Sequence, residues 1–213
     1  MPRLVPDEPF PPYAAGPFKE QAMTSKTKLF TIGYSTHPLE RFLALLAQHG
    51  VEALVDIRRF PGSRKFPQFN QDDLASALQQ AGIEYHWLES LGGRRGKKRD
   101  GSSPFNLGLH NAGLRNYADY MLTQEFHEGV TRLLEVARRR RTTLMCAESL
   151  FWRCHRRLVS DYLVANGETI QHIMPTGELR PHALTTGVVI EDGRVTYPGE
   201  KSQLPEQNTA PAG

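Results

Sequence analysis

The feature that most constrains the fold is a series of short apolar runs alternating with helical patterns. Residues 51–57 are largely apolar, which is typical of a strand covered on both faces. Similar runs begin at Leu29, Ile83, Thr142 and Thr169. Between the runs, apolar residues recur every three or four positions, the spacing of a buried helix face. Strands that alternate with helices form parallel sheets, so we predict a single three-layer α/β domain with a mostly parallel sheet flanked by helices.

Local signals mark several boundaries of these elements. Asn70, with Asp73 in the following turn, predicts a capped helix over residues 71–81. Further helices are predicted over residues 126–137 and 158–167. Near the C-terminus, Asp192 and Gly193 separate two short apolar runs and form a hairpin turn signal. We therefore expect a small C-terminal β-hairpin over residues 188–197.

The prolines set the expected limits of the domain. Of the 15 prolines, six lie in residues 1–28 and three follow Tyr197. Such segments contribute little to a core, so residues 1–28 and 198–213 are predicted to be disordered tails. Residues 29–197 remain as one domain, and this length is sufficient for a full hydrophobic core.

Composition narrows the classes of function. Two cysteines are too few for a disulfide framework, so we expect free thiols and a cytoplasmic protein. No apolar stretch approaches the roughly 18 residues of a membrane span, so no membrane partner is expected. The glycines form neither a phosphate-binding loop nor a dinucleotide fingerprint, and no cofactor is predicted. A formal net charge of +3 is too small to identify a partner.

Polar residues collect where the predicted strands end. Parallel strands bring their carboxyl ends to one edge of the sheet, where ligands bind. We predict one crevice there that contains catalytic and substrate-binding side chains. The candidates are Gly33, Tyr34, Ser35 and His37 after the first strand, Asp56, Arg58 and Arg59 after the second, and Cys146 and Glu148 after the fourth.

Asp56 and Arg58 allow two interpretations. A carboxylate at the end of an apolar run is costly unless it is paired, and Arg58 lies on the same strand face two residues later. The pair is then a structural ion pair. Alternatively, Arg58 and Arg59 bind a phosphate or carboxylate. The sequence favours neither interpretation over the other.

The two cysteines differ in their expected surroundings. Cys154, His155 and Arg156 are predicted to lie in the first turn of a helix, where the helix dipole and neighbouring arginines lower a thiol pKa. Cys146 ends an apolar strand and is expected to be better protected. The alternatives are that both cysteines are buried hydrophobes, and that His155 is an ordinary helix residue rather than an acid or base.

Known cysteine signatures do not match this spacing. A cysteine phosphatase places arginine six residues after its cysteine, but Trp152 occupies that position after Cys146. Cys146, Cys154 and His155 could supply three metal ligands, but the spacing fits no zinc-finger pattern. We therefore predict no structural metal, and a mononuclear metal site remains only an alternative.

Residues 91–110 lack apolar periodicity and include five basic residues between Arg94 and Arg99. Such a segment suits the phosphates of a nucleic acid, although a solvated loop is the commoner meaning.

Five separated motifs lie at residues 31–35, 56–61, 91–93, 145–148 and 154–156, with further characteristic segments at residues 117–121 and 172–173. Together these motifs resemble the family catalogued as domain of unknown function 488. The resemblance covers residues 29–173 and implies an α/β fold whose Cys, His, Arg and Asp motifs share one pocket.

The first functional hypothesis is an enzyme that acts on an anionic small molecule or a nucleic acid. Arg58, Arg59 and Arg156 would bind the anion, either cysteine would act as nucleophile or ligand, and Glu148 or His155 would move protons. The alternatives are a non-catalytic nucleic-acid-binding module and a mononuclear metal-binding protein.

Overall fold

The computed structural model describes residues 27–96 and 104–199. Residues 97–103 of the basic segment, and nearly all of both predicted tails, lie outside the described residues. The first strand begins at Lys28, one residue before the predicted domain limit.

Strands and helices alternate as the apolar runs predict. The strands are β1 Lys28–Gly33, β2 Ala53–Asp56, β3 Glu84–Trp87, β4 Thr142–Cys146, β5 Thr169–Ile173, β6 Leu179–Pro181, β7 Val189–Glu191 and β8 Arg194–Thr196. The helices are α1 Leu39–Gln48, α2 Gln71–Gln80, α3 Ala112–Tyr120, α4 Gln124–Ala137 and α5 Arg156–Ala165. Short 3-10 turns lie at Pro67–Phe69, Glu89–Leu91, Pro104–Asn106 and Phe151–Arg153.

The main sheet has six strands in the order β3-β2-β4-β1-β5-β6. The first five strands in this order are parallel, and β6 runs antiparallel to β5. The predicted α/β class with a mostly parallel sheet is confirmed. The predicted hairpin is also confirmed as a separate pair, β7 and β8, whose turn places Asp192 at φ 49° and Gly193 at φ 80°.

Two hydrophobic cores lie on opposite faces of the sheet. Helices α1 and α2 cover one face, and α3, α4 and α5 cover the other. Along β1, Phe30 and Ile32 pack towards α1 and α2, while Leu29 packs towards the other helices. Successive strand residues alternate between faces, so Thr31 lies on the α5 face.

The connections after β1 and β4 leave the sheet in opposite directions. The β1 to β2 connection passes over β4, whereas the β4 to β5 connection passes over β1 to the other side. Loops diverge at such a switch point and leave a crevice at the carboxyl ends of the strands. The loops that carry most candidate residues lie there.

Some local predictions need correction. The Asn70 side chain does not cap α2; its Oδ1 accepts a hydrogen bond from Ser63 N at 2.7 Å. The strand predicted over residues 51–57 is shorter, although both ends of that run are buried. Helix α3 was not predicted, because its apolar residues are concentrated in its C-terminal half.

Among the helices in residues 27–96 and 104–199, none has the length and apolar character needed to span a bilayer.

Candidate functional site

The sheet divides the predicted site residues into two clusters. Asp56 pairs in register with Met145, so these residues point to the same face, and Cys146 points to the other. Asp56 accordingly lies among residues of the α1 and α2 face, whereas Cys146 packs against the core on the α5 face. The predicted residues share one edge of the sheet, but the sheet separates their side chains.

The first cluster is a buried ion pair between Asp56 and Arg58. Arg58 Nε donates to Asp56 Oδ1 at 2.9 Å, and Arg58 Nη1 donates to Phe69 O at 2.7 Å. The Tyr85 hydroxyl donates to Asp56 Oδ2 at 2.9 Å. Burial opposes the charge on Arg58, but the bond to Asp56 raises its pKa above the usual value. These contacts use the guanidinium inside the protein, as expected of a structural ion pair.

The second cluster contains Cys146, Cys154 and His155, and we call it the thiol–imidazole cluster. The Nδ1 atom of His155 lies 3.4 Å from Cys154 Sγ and 3.9 Å from Cys146 Sγ. On the other side of the ring, Nε2 lies 3.0 Å from Ile57 O. A carbonyl oxygen only accepts, so Nε2 carries a hydrogen and Nδ1 of the neutral ring is free to take a proton from a thiol.

The pKa values of the two thiols are shifted in opposite directions. Burial alone would raise the pKa of Cys154, but a hydrogen bond from Cys146 and the positive charges of His155 and Arg156 lower it well below the usual range. The same bond to Cys154, together with burial, raises the pKa of Cys146. The structure therefore favours a thiolate on Cys154 and a protonated thiol on Cys146.

Gly93 makes room for the imidazole ring. A Cβ atom on this residue would lie 2.2 Å from His155 Nδ1, which no side chain tolerates. Across the cluster, the ring of Tyr117 contacts His155 with ring centroids 4.9 Å apart. The Tyr117 hydroxyl also donates to Leu91 O at 2.8 Å and holds the glycine segment in place.

Arg156 is a buried cation beside the thiols. It is only 1% exposed, and no carboxylate within the described part of the chain lies within ion-pair distance of it. Its Nη2 donates to the carbonyl oxygens of Glu148 and Ser149, and its Nη1 donates to Thr31 Oγ1 at 3.3 Å. The guanidinium thus holds the loop after β4. A Cβ on Gly33 would collide with this contact, so glycine is required there.

A chain of buried hydrogen bonds continues from Thr31. Thr31 Oγ1 lies 2.7 Å from His172 Nδ1, and His172 Nε2 lies 2.9 Å from His182 Nδ1. The last member is Asp161, whose Oδ1 lies 2.9 Å from His182 Nε2. This relay joins Arg156 to the C-terminal segment that carries the hairpin.

The relay predicts a pH-dependent stability. Burial, and then the charges of His182, Arg156 and Arg180, lower the pKa of His172 to about 2. The unfolded histidine titrates near 6.5, so below that pH the unfolded state binds the additional proton. We expect this residue to reduce the free energy of unfolding by up to about 1.4 kcal/mol per pH unit as the pH falls from about 6.5 towards 2.

Urea unfolding between pH 7.5 and 5 measures this slope. The variant His172→Asn should show a shallower decline than the unmodified chain over the same range. Identical slopes in the two proteins would contradict the assignment. The histidines at 37 and 127, whose pKa values burial also lowers, remain in both proteins and cancel in the comparison.

The remaining predicted residues lie around these clusters. Cys154 and His155 were expected in the first turn of a helix, but both precede the first helical residue of α5, and His155 is the N-cap. Glu148 is exposed, and its Oε1 accepts from Leu150 N at 3.3 Å. Arg59 forms a partly exposed ion pair with Glu89 at 3.2 Å.

The loop after β1 runs beside the loop after β4. Ser35 N donates to Ala147 O at 2.9 Å, and Ser35 adopts a positive φ of 47°. Tyr34 turns towards the Asp56 side, where its ring stacks on Phe69 with centroids 4.1 Å apart. His37 is partly exposed in the same loop, and burial followed by the charge of Arg41 lowers its pKa.

Sequence reasoning missed several members of these networks. Asp161 and His182 lie within helix and loop patterns that carry no motif. Thr31, Tyr117 and His172 belong only to the motifs of the family resemblance, which assign them no role. Nothing in their spacing indicated that they would meet the thiol–imidazole cluster.

A family model described as "Domain of unknown function DUF488" matches residues 38–163, more than half of the chain. The matched region contains Cys146, Cys154 and His155 and ends before His172. No curated protein and no solved structure matches the chain significantly.

Proposed function

We propose that this chain, which belongs to the DUF488 family, is an enzyme that attacks an anionic, nucleotide-like substrate with the thiolate of Cys154. The observation that carries the proposal is the position of His155 Nδ1 beside both sulfurs, with Nε2 held by Ile57 O. An activated thiol next to an oriented base is the arrangement used in nucleophilic catalysis.

Each residue of the cluster has a separate role in the proposed reaction. The Cys154 sulfur bonds to an electrophilic atom of the substrate, and the leaving group departs with the electron pair and takes the proton from His155 Nδ1. Nδ1 then accepts a proton from the water that attacks the covalent intermediate and releases the thiolate. Arg156 stabilises the thiolate before and after the reaction, and exposed Glu148 is available for proton exchange with solvent.

The charge near the nucleophile supports an anionic substrate. Arg153, Arg156 and Arg157 all lie within three residues of Cys154. In contrast, Arg58 and Arg59 are paired with acids, so we assign them a smaller part in binding the substrate than their sequence positions suggest.

Alkylation of the native protein tests the proposal. Iodoacetamide labelling followed by peptide mass should modify Cys154 first, with an apparent pKa below the roughly 8.5 of a free cysteine. Cys154→Ser should abolish the fast phase, whereas Cys146→Ala should slow it by removing the S–H donor that stabilises the Cys154 thiolate. Rates in denaturant provide the unfolded reference, since burial alone can slow labelling.

Protection experiments test the substrate class. Nucleoside monophosphates should protect Cys154 from iodoacetamide, and uncharged nucleosides should not. Equal slow labelling of both cysteines, with fast labelling only in denaturant, would refute the proposed nucleophile.

A mononuclear metal site is a second candidate. The two sulfurs and a ring nitrogen of His155 all lie within 4.8 Å of one another, and a Cys2His set with an open fourth position is known in catalytic zinc sites. The bond from His155 Nε2 to a backbone carbonyl also suits a metal-binding histidine. Elemental analysis distinguishes the two proposals: a metal site requires stoichiometric metal and labelling that a chelator accelerates.

A further inference from the structure

A large groove lies apart from the thiol–imidazole cluster. Its volume is about 1390 Å³, and it lies between the turn Phe151–Arg153, the segment after β6 and the segment after Pro104–Asn106. Neither cysteine nor His155 lines it. We call it the basic groove, because Arg153, Arg157 and Arg180 line it and no described aspartate or glutamate does.

The three arginines of the groove are not paired with any acid of the described segments. No carboxylate in residues 27–96 and 104–199 lies within ion-pair distance of any of them. The Nε atom of Arg157 is buried and has no hydrogen-bond partner among the residues that the structure describes. Arg58 and Arg140, by contrast, are paired with acids, so the charges of the groove arginines remain available to an anionic ligand.

The groove also presents an aromatic surface. Trp152 is 37% exposed and contacts Phe151 edge to face. The Arg180 guanidinium lies 5.6 Å from the centre of the Trp152 ring. Exposed aromatic rings beside arginines are the surfaces on which unpaired bases stack.

We propose that the basic groove binds single-stranded nucleic acid, with Arg153, Arg157 and Arg180 at the phosphates and Trp152 stacked on a base. The volume exceeds the 300–1,000 Å³ typical of small-ligand pockets, which favours several nucleotides over one. In a duplex the base faces are already stacked on one another, so no base is available to stack on the Trp152 ring. Arg153 and Arg157 also contribute to the positive charge near Cys154, but binding in the groove requires neither cysteine nor His155, because none of the three lines it.

Fluorescence anisotropy of a labelled oligothymidylate of about 10 nucleotides, titrated with the full chain, tests the proposal. Contacts to three phosphates predict a slope of log K against log salt of about −2, from about −0.7 for each phosphate. Trp152→Ala should weaken binding about tenfold or more. Arg180→Ala should weaken it and reduce the slope by about 0.7.

Arg138→Ala is the matched control, because it removes the same charge from an exposed position at the end of α4. It should leave affinity and salt slope near those of the unmodified chain. Trp152, Arg180 and Arg138 are all exposed, so the variants are expected to fold, and urea unfolding checks this. Equal weakening by Arg138→Ala and Arg180→Ala, or undetectable binding, would overturn the proposal.

Thymidine monophosphate and the duplex form of the oligonucleotide complete the test. Both should bind at least tenfold more weakly than the single strand. If the mononucleotide binds with the same affinity as the oligonucleotide, the groove is a mononucleotide site and the proposed binding of a single strand is refuted. If the duplex binds as tightly, base stacking is refuted.

Discussion

Replacing Asp161 with alanine is expected to lower the free energy of unfolding by about 3 to 5 kcal/mol, the usual cost of removing one partner from a buried charged network. Asp161 is fully buried, and each of its carboxylate oxygens accepts two hydrogen bonds. The donors are His182 Nε2, the backbone and hydroxyl groups of Thr185, and the Tyr197 hydroxyl at 2.8 Å. Alanine leaves these donors without their shared acceptor in a region that excludes water.

Urea unfolding measures this loss, and Asp72→Ala serves as the control. Asp72 is an exposed acid in the first turn of α2, where its removal should cost no more than about 1 kcal/mol. Hydrogen exchange should rise first in residues 182–197, because Asp161 ties this segment to α5. Similar losses in the two variants would show that the Asp161 network contributes little to stability.

Replacing Gly93 with alanine is expected to reduce the rate of Cys154 alkylation at neutral pH by about tenfold or more. The added Cβ would lie 2.2 Å from His155 Nδ1, so the ring must leave its position. Tyr117 blocks the other side, and movement also breaks the bond from Nε2 to Ile57 O. Without the imidazole, the pKa of Cys154 rises. Once it exceeds the pH of the experiment, each further unit lowers the thiolate population about tenfold.

Gly96→Ala is the matched control for this effect. Gly96 lies three residues later in the same segment, and a Cβ there would meet no atom of the described residues within 4 Å. In the Gly96→Ala variant, Cys154 should be alkylated at the same rate as in the unmodified chain. A Gly93→Ala protein that is folded and labels at the unmodified rate would show that His155 does not activate Cys154.

The thiol–imidazole cluster is assembled from segments that lie far apart in the chain. The sulfurs come from the end of β4 and the start of α5, whereas the atom that orients His155 is a carbonyl 98 residues earlier in the chain. Gly93 and Tyr117 enclose the ring from a third region. A change in any of these segments is therefore expected to alter thiol reactivity without touching either cysteine.

Much of the architecture follows from local patterns in the chain. The apolar run over residues 51–57 and the helical spacing on either side of it predict a buried parallel strand, and β2 is central in the sheet. The Asp192–Gly193 turn likewise predicts its hairpin, because both residues tolerate positive φ. These elements can be predicted from the sequence, because backbone periodicity and turn geometry depend on residues close together in the chain.

The division of the candidate residues into two clusters depends instead on register and long-range packing. Asp56 lies opposite Met145, and this one-residue offset from Cys146 sends the carboxylate and the thiol to opposite faces of the sheet. Side chains alternate with a period of two, so a shift of one residue would have placed both groups together. Strand pairing is set by the packing of helices far apart in sequence, and no local pattern encodes it. The relay from Arg156 to Asp161 has the same origin, since its members meet only after β1, β5 and α5 have packed.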